Sequence, residues 1–439
     1  MNQAPLLQAF EYYKTGRLEP AAELLHACLR NSPSDGPANH LLGVIYYRQG
    51  RFAAARDHLA HACASPGATA EMYNNYGAAL KGLDDLRGAV AAYRCALALD
   101  PDYADALSNL GVIYLAQGET HRAIETLRRA VALKPELTDA QLNLRNAYRD
   151  VVPPWHFAMI NDHPRNAAYR QAIAQIVPGK RVLEIGTGAG LLAMIAASAG
   201  AASVTTCEGN TVIAERAREI IASNGLADRV TVIAKHSTGL SVGQDLAERA
   251  EVLITETFSS DLLSEGILPA IEHAHRELLI PNPTIIPDCA AARGYLAGGP
   301  ELATMLFAGR SEGFDLSAFN DFAPPVFPVT LNNVPHAILS DDFELFRFDL
   351  ASPMFEMQSR EIAIPVTKSG IATAVVQWIR LDVDGVSHYE NRPSRDPQAE
   401  AHWTQILYRF PQPFAVAAGT VVHILAGHNR RQLSITRRA

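Results

Sequence analysis

Residues 182–190 read Val-Leu-Glu-Ile-Gly-Thr-Gly-Ala-Gly, and they decide what kind of fold the middle of this 439-residue chain adopts. An apolar stretch from Arg181 to Ile185 runs straight into glycines at 186, 188 and 190, and an apolar segment follows at 191–199. That order predicts a buried strand turning sharply into a helix. The glycines let a ligand approach the main chain closely. The first turn of the helix adds N–H groups that have no partner within it. A nucleotide-like cofactor fits such a turn.

The dinucleotide fingerprint Gly-x-Gly-x-x-Gly is not met, because Leu191 stands where its third glycine belongs. The string Glu184-x-Gly186-x-Gly188-x-Gly190 instead resembles class I S-adenosylmethionine (SAM) methyltransferases. Glu208 ends the next predicted strand, 203–207, where its carboxylate is placed to bond a ribose diol. Strand patterns at 182–185, 203–207, 230–234 and 252–255 alternate with helical ones at 191–199 and 212–223. This predicts a doubly wound parallel sheet. Gly186, Glu208, the Lys235-His236-Ser237 run and Glu256 each follow a strand directly, so they should line one cleft.

Glu256 and Glu265 flank Thr-Phe-Ser-Ser-Asp-Leu-Leu-Ser. With the glycine following, this string resembles the "double-E" hairpin of protein arginine methyltransferases. The runs Lys235-His-Ser-Thr238 and Leu268-Pro-Ala-Ile-Glu-His-Ala-His275 are similar to the divergent branch of that family with duplicated modules, one group of which carries tetratricopeptide (TPR) repeats. The resemblance covers about 155–439. It implies a double-carboxylate clamp on an arginine guanidinium, whose planar fork of N–H donors suits charge-assisted bidentate bonds. It also implies roles for Arg165 on the cofactor carboxylate and for Met159 over the reacting methyl. Asp162 would pair with a catalytic His402, within an Ala-His-Trp string that has Ala401 where the family has threonine. Glu184, His236 and Ser237 join the cofactor set, and Phe258 and Trp403 the substrate side. The paired tyrosines of the family's lid helix are absent, with Trp155 and Phe157 near their places.

Ahead of this unit, residues 1–150 carry a 34-residue repeat. Gly43, Gly77 and Gly111 share one phase, Ala21, Ala55, Ala89 and Ala123 a second, and Leu25, Leu59, Tyr93 and Leu127 a third. The pattern looks like TPR helix pairs. Four repeats and a capping helix at 137–149 are expected. Such solenoids usually hold a protein or peptide; packing against the enzyme or building an oligomer are the other uses.

Beyond a proline cluster at 281, 283 and 287, period-two runs at 343–350, 361–366, 372–383, 404–410 and 420–425 predict an antiparallel barrel or sandwich. In the family the domain is a β-barrel, and residues 298–335 stand where its dimerisation arm lies. The expected architecture is thus multidomain: an all-α TPR solenoid (1–150), an α/β Rossmann-like SAM domain with a lid helix (151–287), and an antiparallel β-barrel (288–439).

The net charge of −8 lies almost wholly beyond residue 150 and disfavours nucleic acid as partner. Five scattered cysteines form no Cys-x-x-Cys pair, which argues against a disulfide framework or metal site and for a reducing, cytoplasmic setting. No stretch is long and apolar enough to span a bilayer. The sequence reading is a SAM-dependent arginine N-methyltransferase, a homodimer, acting on protein or peptide arginine. Free L-arginine or another small guanidine is one alternative. A non-catalytic TPR adaptor with a retired methyltransferase fold is the other.

Overall fold

The computed structural model describes residues 4–152, 155–332, 334–394 and 403–438. The chain divides into two compact units, residues 1–153 and 154–439.

The first unit is a series of helix pairs. They are α1 (Ala4–Lys14) with α2 (Leu18–Asn31), α3 (Gly36–Arg48) with α4 (Phe52–Cys63), α5 (Ala70–Gly82) with α6 (Leu86–Leu99), and α7 (Ala104–Ala116) with α8 (Thr120–Leu133). A last helix, α9 (Thr138–Val151), closes the row. The repeat exists because the two helices of a pair touch nearly backbone to side chain. A Cβ on Gly43 would lie 2.5 Å from Leu59, on Gly77 2.6 Å from Tyr93, and on Gly111 2.6 Å from Leu127. Each glycine of a first helix thus receives the large residue sixteen positions on, in the second. Leu59, Tyr93 and Leu127 are fully buried there.

The second unit opens with two short helices, α10 (Trp155–Ile160) and α11 (His163–Ile176). Five parallel strands follow: β1 (Arg181–Ile185), β2 (Ser203–Cys207), β3 (Val230–Ile233), β4 (Ala250–Thr255) and β5 (Leu279–Ile286). Helices α12 (Leu191–Ser198), α13 (Thr211–Ser223) and α14 (Ile267–His273) lie between them in sequence. The sheet order is β3-β2-β1-β4-β5, so the winding reverses between β1 and β4. Ligands of such sheets sit beyond the carboxyl ends of the strands at that reversal. Strand β5 carries Pro281 and Pro283 of the proline cluster. Prolines cannot donate to a ladder, yet an edge strand needs donors on one side only, and β5 is that edge.

Strand β6 (Cys289–Gly298) then starts an antiparallel region. Helix α15 (Pro300–Leu306) comes next, followed by the small hairpin β7 (Arg310–Ser311) and β8 (Phe314–Asp315). Strands β9 (Val326–Val329), β10 (Ala337–Ile338), β11 (Phe343–Asp349), β12 (Gln358–Pro365), β13 (Gly370–Asp382) and β14 (His388–Glu390) follow. The last three are β15 (Gln405–Val416), β16 (Val421–His428) and β17 (Leu433–Arg437). Seven strands form one sheet around β6 and β13, and β12, β16 and β17 form another.

The expected barrel is not closed among the described residues. Strand β12 pairs with β16 along its whole length, and β16 with β17. Side chains of the small sheet, Ile364, Ile424 and Ala426, share one core with Phe346 and Val375 of the large one. Face-to-face packing thus joins the two sheets.

Strand β6 escaped the sequence pattern because it reads Cys-Ala-Ala-Ala-Arg-Gly-Tyr-Leu-Ala-Gly. The small residues are imposed by close neighbours, since a Cβ on Gly294 would lie 2.7 Å from the Val376 carbonyl oxygen and one on Gly298 1.9 Å from that of Ile371.

Candidate active site

The glycine turn is built as the sequence predicts, at the end of β1. Gly186 and Gly190 have φ of +90° and +84°, and Gly186 and Thr187 donate their N–H groups to the Cys207 carbonyl at the end of β2. The first two glycines are constrained differently. A Cβ on Gly186 would lie 2.3 Å from the Thr257 methyl, whereas one on Gly188 would meet no protein atom within 4 Å. Gly188 thus faces open space in front of the loop. Its N–H donates to Glu208 Oε2 at 3.1 Å, while Asn210 N donates to Oε1 at 2.9 Å. Glu208 is therefore half-buried and fixed against the loop.

Glu184 lies deeper than its cofactor assignment suggests. It is 1% exposed and accepts a bond from the Thr206 hydroxyl at 2.6 Å, which in turn pairs with Thr187. Burial pushes its pKa up to about 8, against the hydrogen bond from Thr206. Its reach toward a ligand runs through this hydroxyl pair and the loop above. His236 and Ser237 follow β3, His236 accepting from Thr238 N and pairing with its hydroxyl, and Ser237 buried. A Cβ on Gly209 would come 3.7 Å from the His236 ring, which places that ring beside the Glu208 turn.

Glu256 follows β4 directly. It is 7% exposed, and its Oε2 accepts from Arg165 Nη2 at 2.5 Å in an ion pair buried on both sides. Arg165 comes from the first turn of α11, with Nη1 bound to the Met159 carbonyl at 3.1 Å and to Asn166 Oδ1 at 2.8 Å. Arg165 Nε and Glu256 Oε1 are buried with no hydrogen-bond partner among the described residues. Glu256 thus gives one oxygen to the arginine and keeps one free. Burial pushes its pKa up to about 7, opposed by Arg165.

Glu265 is brought back by the loop 256–266. Leu262 and Leu263 are fully buried and pin this loop, and Ser264 N donates to both Ser259 Oγ and Asp261 Oδ1. The large sheet holds it from the other side, through Gln377 Nε2 on the Ser260 carbonyl and Thr404 on the Ser260 hydroxyl. Glu265 is exposed to solvent. Desolvation, then Asp261 and Glu208, raise its pKa.

Of the other expected site residues, Asp162 caps α11. Its Oδ1 accepts Arg165 N at 3.0 Å and its Oδ2 accepts the Tyr389 hydroxyl at 2.6 Å. His402, expected beside Asp162, lies outside the described residues, as does Ala401. Met159 is half-buried. Phe258, at 4% exposure, packs into the hydrophobic core. Trp403 is buried and meets Tyr389 edge to face, ring centroids 6.2 Å apart. Tyr389 and Tyr169, whose hydroxyl donates to the Thr255 carbonyl, were not singled out from sequence. No local motif marks either one.

The residues fit a cofactor with a charged amino-acid end and a ribose. The glycine loop leaves room for it, Glu208 is fixed against that loop, and the buried Arg165 guanidinium keeps Nε without a partner among the described residues.

A parallel sheet that ends in such a loop, with an acid after its second strand, defines the class I methyltransferase architecture. Comparison with known proteins narrows the class. Family models match residues 163–263 as ribosomal protein L11 methyltransferase and 303–436 as the arginine methyltransferase oligomerization subdomain. Residues 6–69, 83–118 and 106–141 match tetratricopeptide repeats. The chain is 38% identical over 281 residues to the arginine N(omega)-methyltransferase of Streptomyces achromogenes subsp. streptozoticus, covering 64% of this chain and 77% of that one. It is 32% identical over 314 residues to protein arginine N-methyltransferase 7 of Oryza sativa subsp. indica, covering 63% of this chain but only 44% of the relative.

Two solved structures share the fold. The Trypanosoma brucei PRMT1 enzyme–prozyme heterotetrameric complex with AdoHcy superposes with a TM-score of 0.56 at 24% identity, covering 64% of this chain and 90% of that one. Arabidopsis thaliana protein arginine methyltransferase 10 does so at 0.52 and 20%, covering 63% and 90%. The chain belongs to the arginine N-methyltransferase family.

Proposed function

We propose that this protein transfers a methyl group from S-adenosylmethionine to a guanidino nitrogen of arginine held between Glu256 and Glu265. One observation carries the reading. Glu256 is buried, shares one oxygen with Arg165 and leaves Oε1 without a partner among the described residues, which is an acceptor built for a cation. Glu265, exposed to solvent at the far end of the same loop, supplies the second acceptor. Two carboxylates clamping one side of a planar guanidinium would orient its remaining nitrogen and concentrate lone-pair density there. The bound cofactor supplies a methyl group on a sulfonium. Gly188, Glu208 and Arg165 would hold its loop-facing, ribose and carboxylate parts.

Protein or peptide arginine is the first substrate to test, because the repeat unit is of a kind that holds polypeptides. A specific observation favours free arginine as the second reading: the relative with 38% identity is named for arginine and not for protein arginine. A homodimer is part of the proposal. Phe314, Phe319 and Phe322 are 70%, 70% and 80% exposed on the segment between α15 and β9, inside the stretch matching the oligomerization subdomain. Large apolar side chains clustered in solvent mark an association surface. Five cysteines free of disulfides suit the cytoplasm, and no helix among the described residues is long and apolar enough to cross a membrane.

The test is incubation with methyl-labelled S-adenosylmethionine in two pools, free L-arginine and a desalted cell extract, with Glu256→Gln as control. Label on protein arginine supports the first substrate, and label on free arginine alone establishes the second. Cofactor binding without label in either pool overturns the enzymatic reading in favour of an adaptor.

A further inference from the structure

Strand β14 contributes Tyr389, a residue that no motif of the methyltransferase sheet accounts for. Its hydroxyl donates to Asp162 Oδ2 at 2.6 Å, across 227 residues of sequence. Asp162 is 1% exposed and uses its other oxygen to cap α11 through Arg165 N at 3.0 Å. The side chain of that same Arg165 binds Glu256 through Nη2 and the end of α10 through the Met159 carbonyl. A single file of contacts therefore runs from the antiparallel sheet to the clamp: Tyr389, Asp162, Arg165, Glu256.

We infer that Tyr389 is a positioning residue, which sets the start of α11, and with it the Arg165 guanidinium, from the antiparallel sheet. The hydroxyl is built to donate. Desolvation, then the nearby Asp162, drive its pKa far above the ordinary phenol range, so it keeps its proton and Asp162 remains the acceptor. The ring is held independently by Trp403 and by the ladder pairing of Tyr389 with Leu381. Removing the hydroxyl alone leaves that packing in place. It frees Asp162 to turn, the cap weakens, and Arg165 loses its fixed approach to both Glu256 and the cofactor end of the cleft. The consequence for the cofactor rests on the proposed function; the consequence for α11 does not.

The test starts with the cofactor-free protein. Hydrogen exchange over residues 159–169 should be about tenfold faster at the first turn of α11 in Tyr389→Phe than in the parent. Asp162→Ala should show the same loss, and adding Tyr389→Phe to it should change nothing more, since the tyrosine acts through the aspartate. Leu381→Val, which loosens the packing under Tyr389 but spares the hydroxyl, should leave α11 exchange at the parent rate. S-adenosylmethionine affinity should fall about tenfold in Tyr389→Phe and no further in the double variant.

Unchanged α11 exchange in Tyr389→Phe or in Asp162→Ala overturns the inference. So do multiplying effects in the double variant, or a Leu381→Val protein that matches Tyr389→Phe. A parent that binds no S-adenosylmethionine while its exchange pattern follows expectation overturns the proposed function and leaves the positioning role standing.

Discussion

Arg165 and Glu256 form an ion pair of 2.5 Å in which both side chains are about 95% or more buried. The arginine expected to serve the cofactor and the glutamate expected to serve the substrate therefore hold each other. Taking two charges out of water is costly, and the pair is tolerated because each charge is countered by the other. Under the proposed function, this ion pair would hold the clamp acid and the cofactor-facing arginine against each other.

The two clamp acids should then fail in different ways when neutralised. Glu256→Gln leaves Arg165 buried without its counter-charge, and should lower unfolding free energy by about 3 kcal/mol as well as cutting methyl transfer by roughly a hundredfold or more. Glu265→Gln should cut methyl transfer similarly while leaving stability near the parent, because Glu265 reaches solvent and has no ion pair among the described residues. Denaturant titration beside labelled-methyl assays separates the two. A Glu256→Gln protein as stable as the parent would mean that the Arg165–Glu256 contact contributes nothing to the fold.

The glycine loop offers a second contrast. Gly186→Ala sets a methyl 2.3 Å from that of Thr257 at a φ of +90°, and should cost about 3 kcal/mol of stability. Gly188→Ala has a φ of +50° and open space around its Cβ, so it should cost only about 1 kcal/mol. Yet that methyl enters the space where a cofactor would sit. Calorimetric titration should show Gly188→Ala folded and binding S-adenosylmethionine at least about tenfold more weakly. Parent-like affinity would place the cofactor elsewhere.

How much of this could be read beforehand follows the length scale of each signal. Gly186 to Gly190 and Glu256 directly follow strands, and Glu265 is only nine residues beyond Glu256, so short strings of residues carry both chemistry and location. The helix pairs were legible for the same reason: Gly77 needs Tyr93 sixteen residues away, and the need recurs every 34. Strand β6 was hidden because packing against Val376 and Ile371 demanded alanine and glycine where propensity wants branched residues. Tyr389 was hidden because its partner is 227 residues distant, and only the folded sheet brings the two together.

Association should depend on the segment between α15 and β9. Phe319 and Phe322 pack on each other, ring centroids 5.6 Å apart, and both face solvent. Replacing both with glutamate removes apolar area that no described residue covers. Sedimentation should show a parent dimer becoming a monomer, with the monomer retaining its fold. A monomeric parent, or a dimer that survives the double change, would reassign these rings.

Glu184 makes stability depend on pH in a stated direction. Its pKa in the folded protein, about 8, lies above the ordinary 4.5 because the carboxyl is buried, with Thr206 only partly compensating. The folded state therefore holds this proton more tightly than the unfolded state does, and stability falls as pH rises from about 4.5 to about 8. Glu184→Gln keeps an acceptor for Thr206 and has no proton to lose. Its stability relative to the parent should grow by roughly 2–3 kcal/mol between pH 6 and pH 9 in chemical denaturation. A constant difference across that range would mean that Glu184 ionises in place without cost, and that the buried Thr206–Thr187 pair solvates a charge.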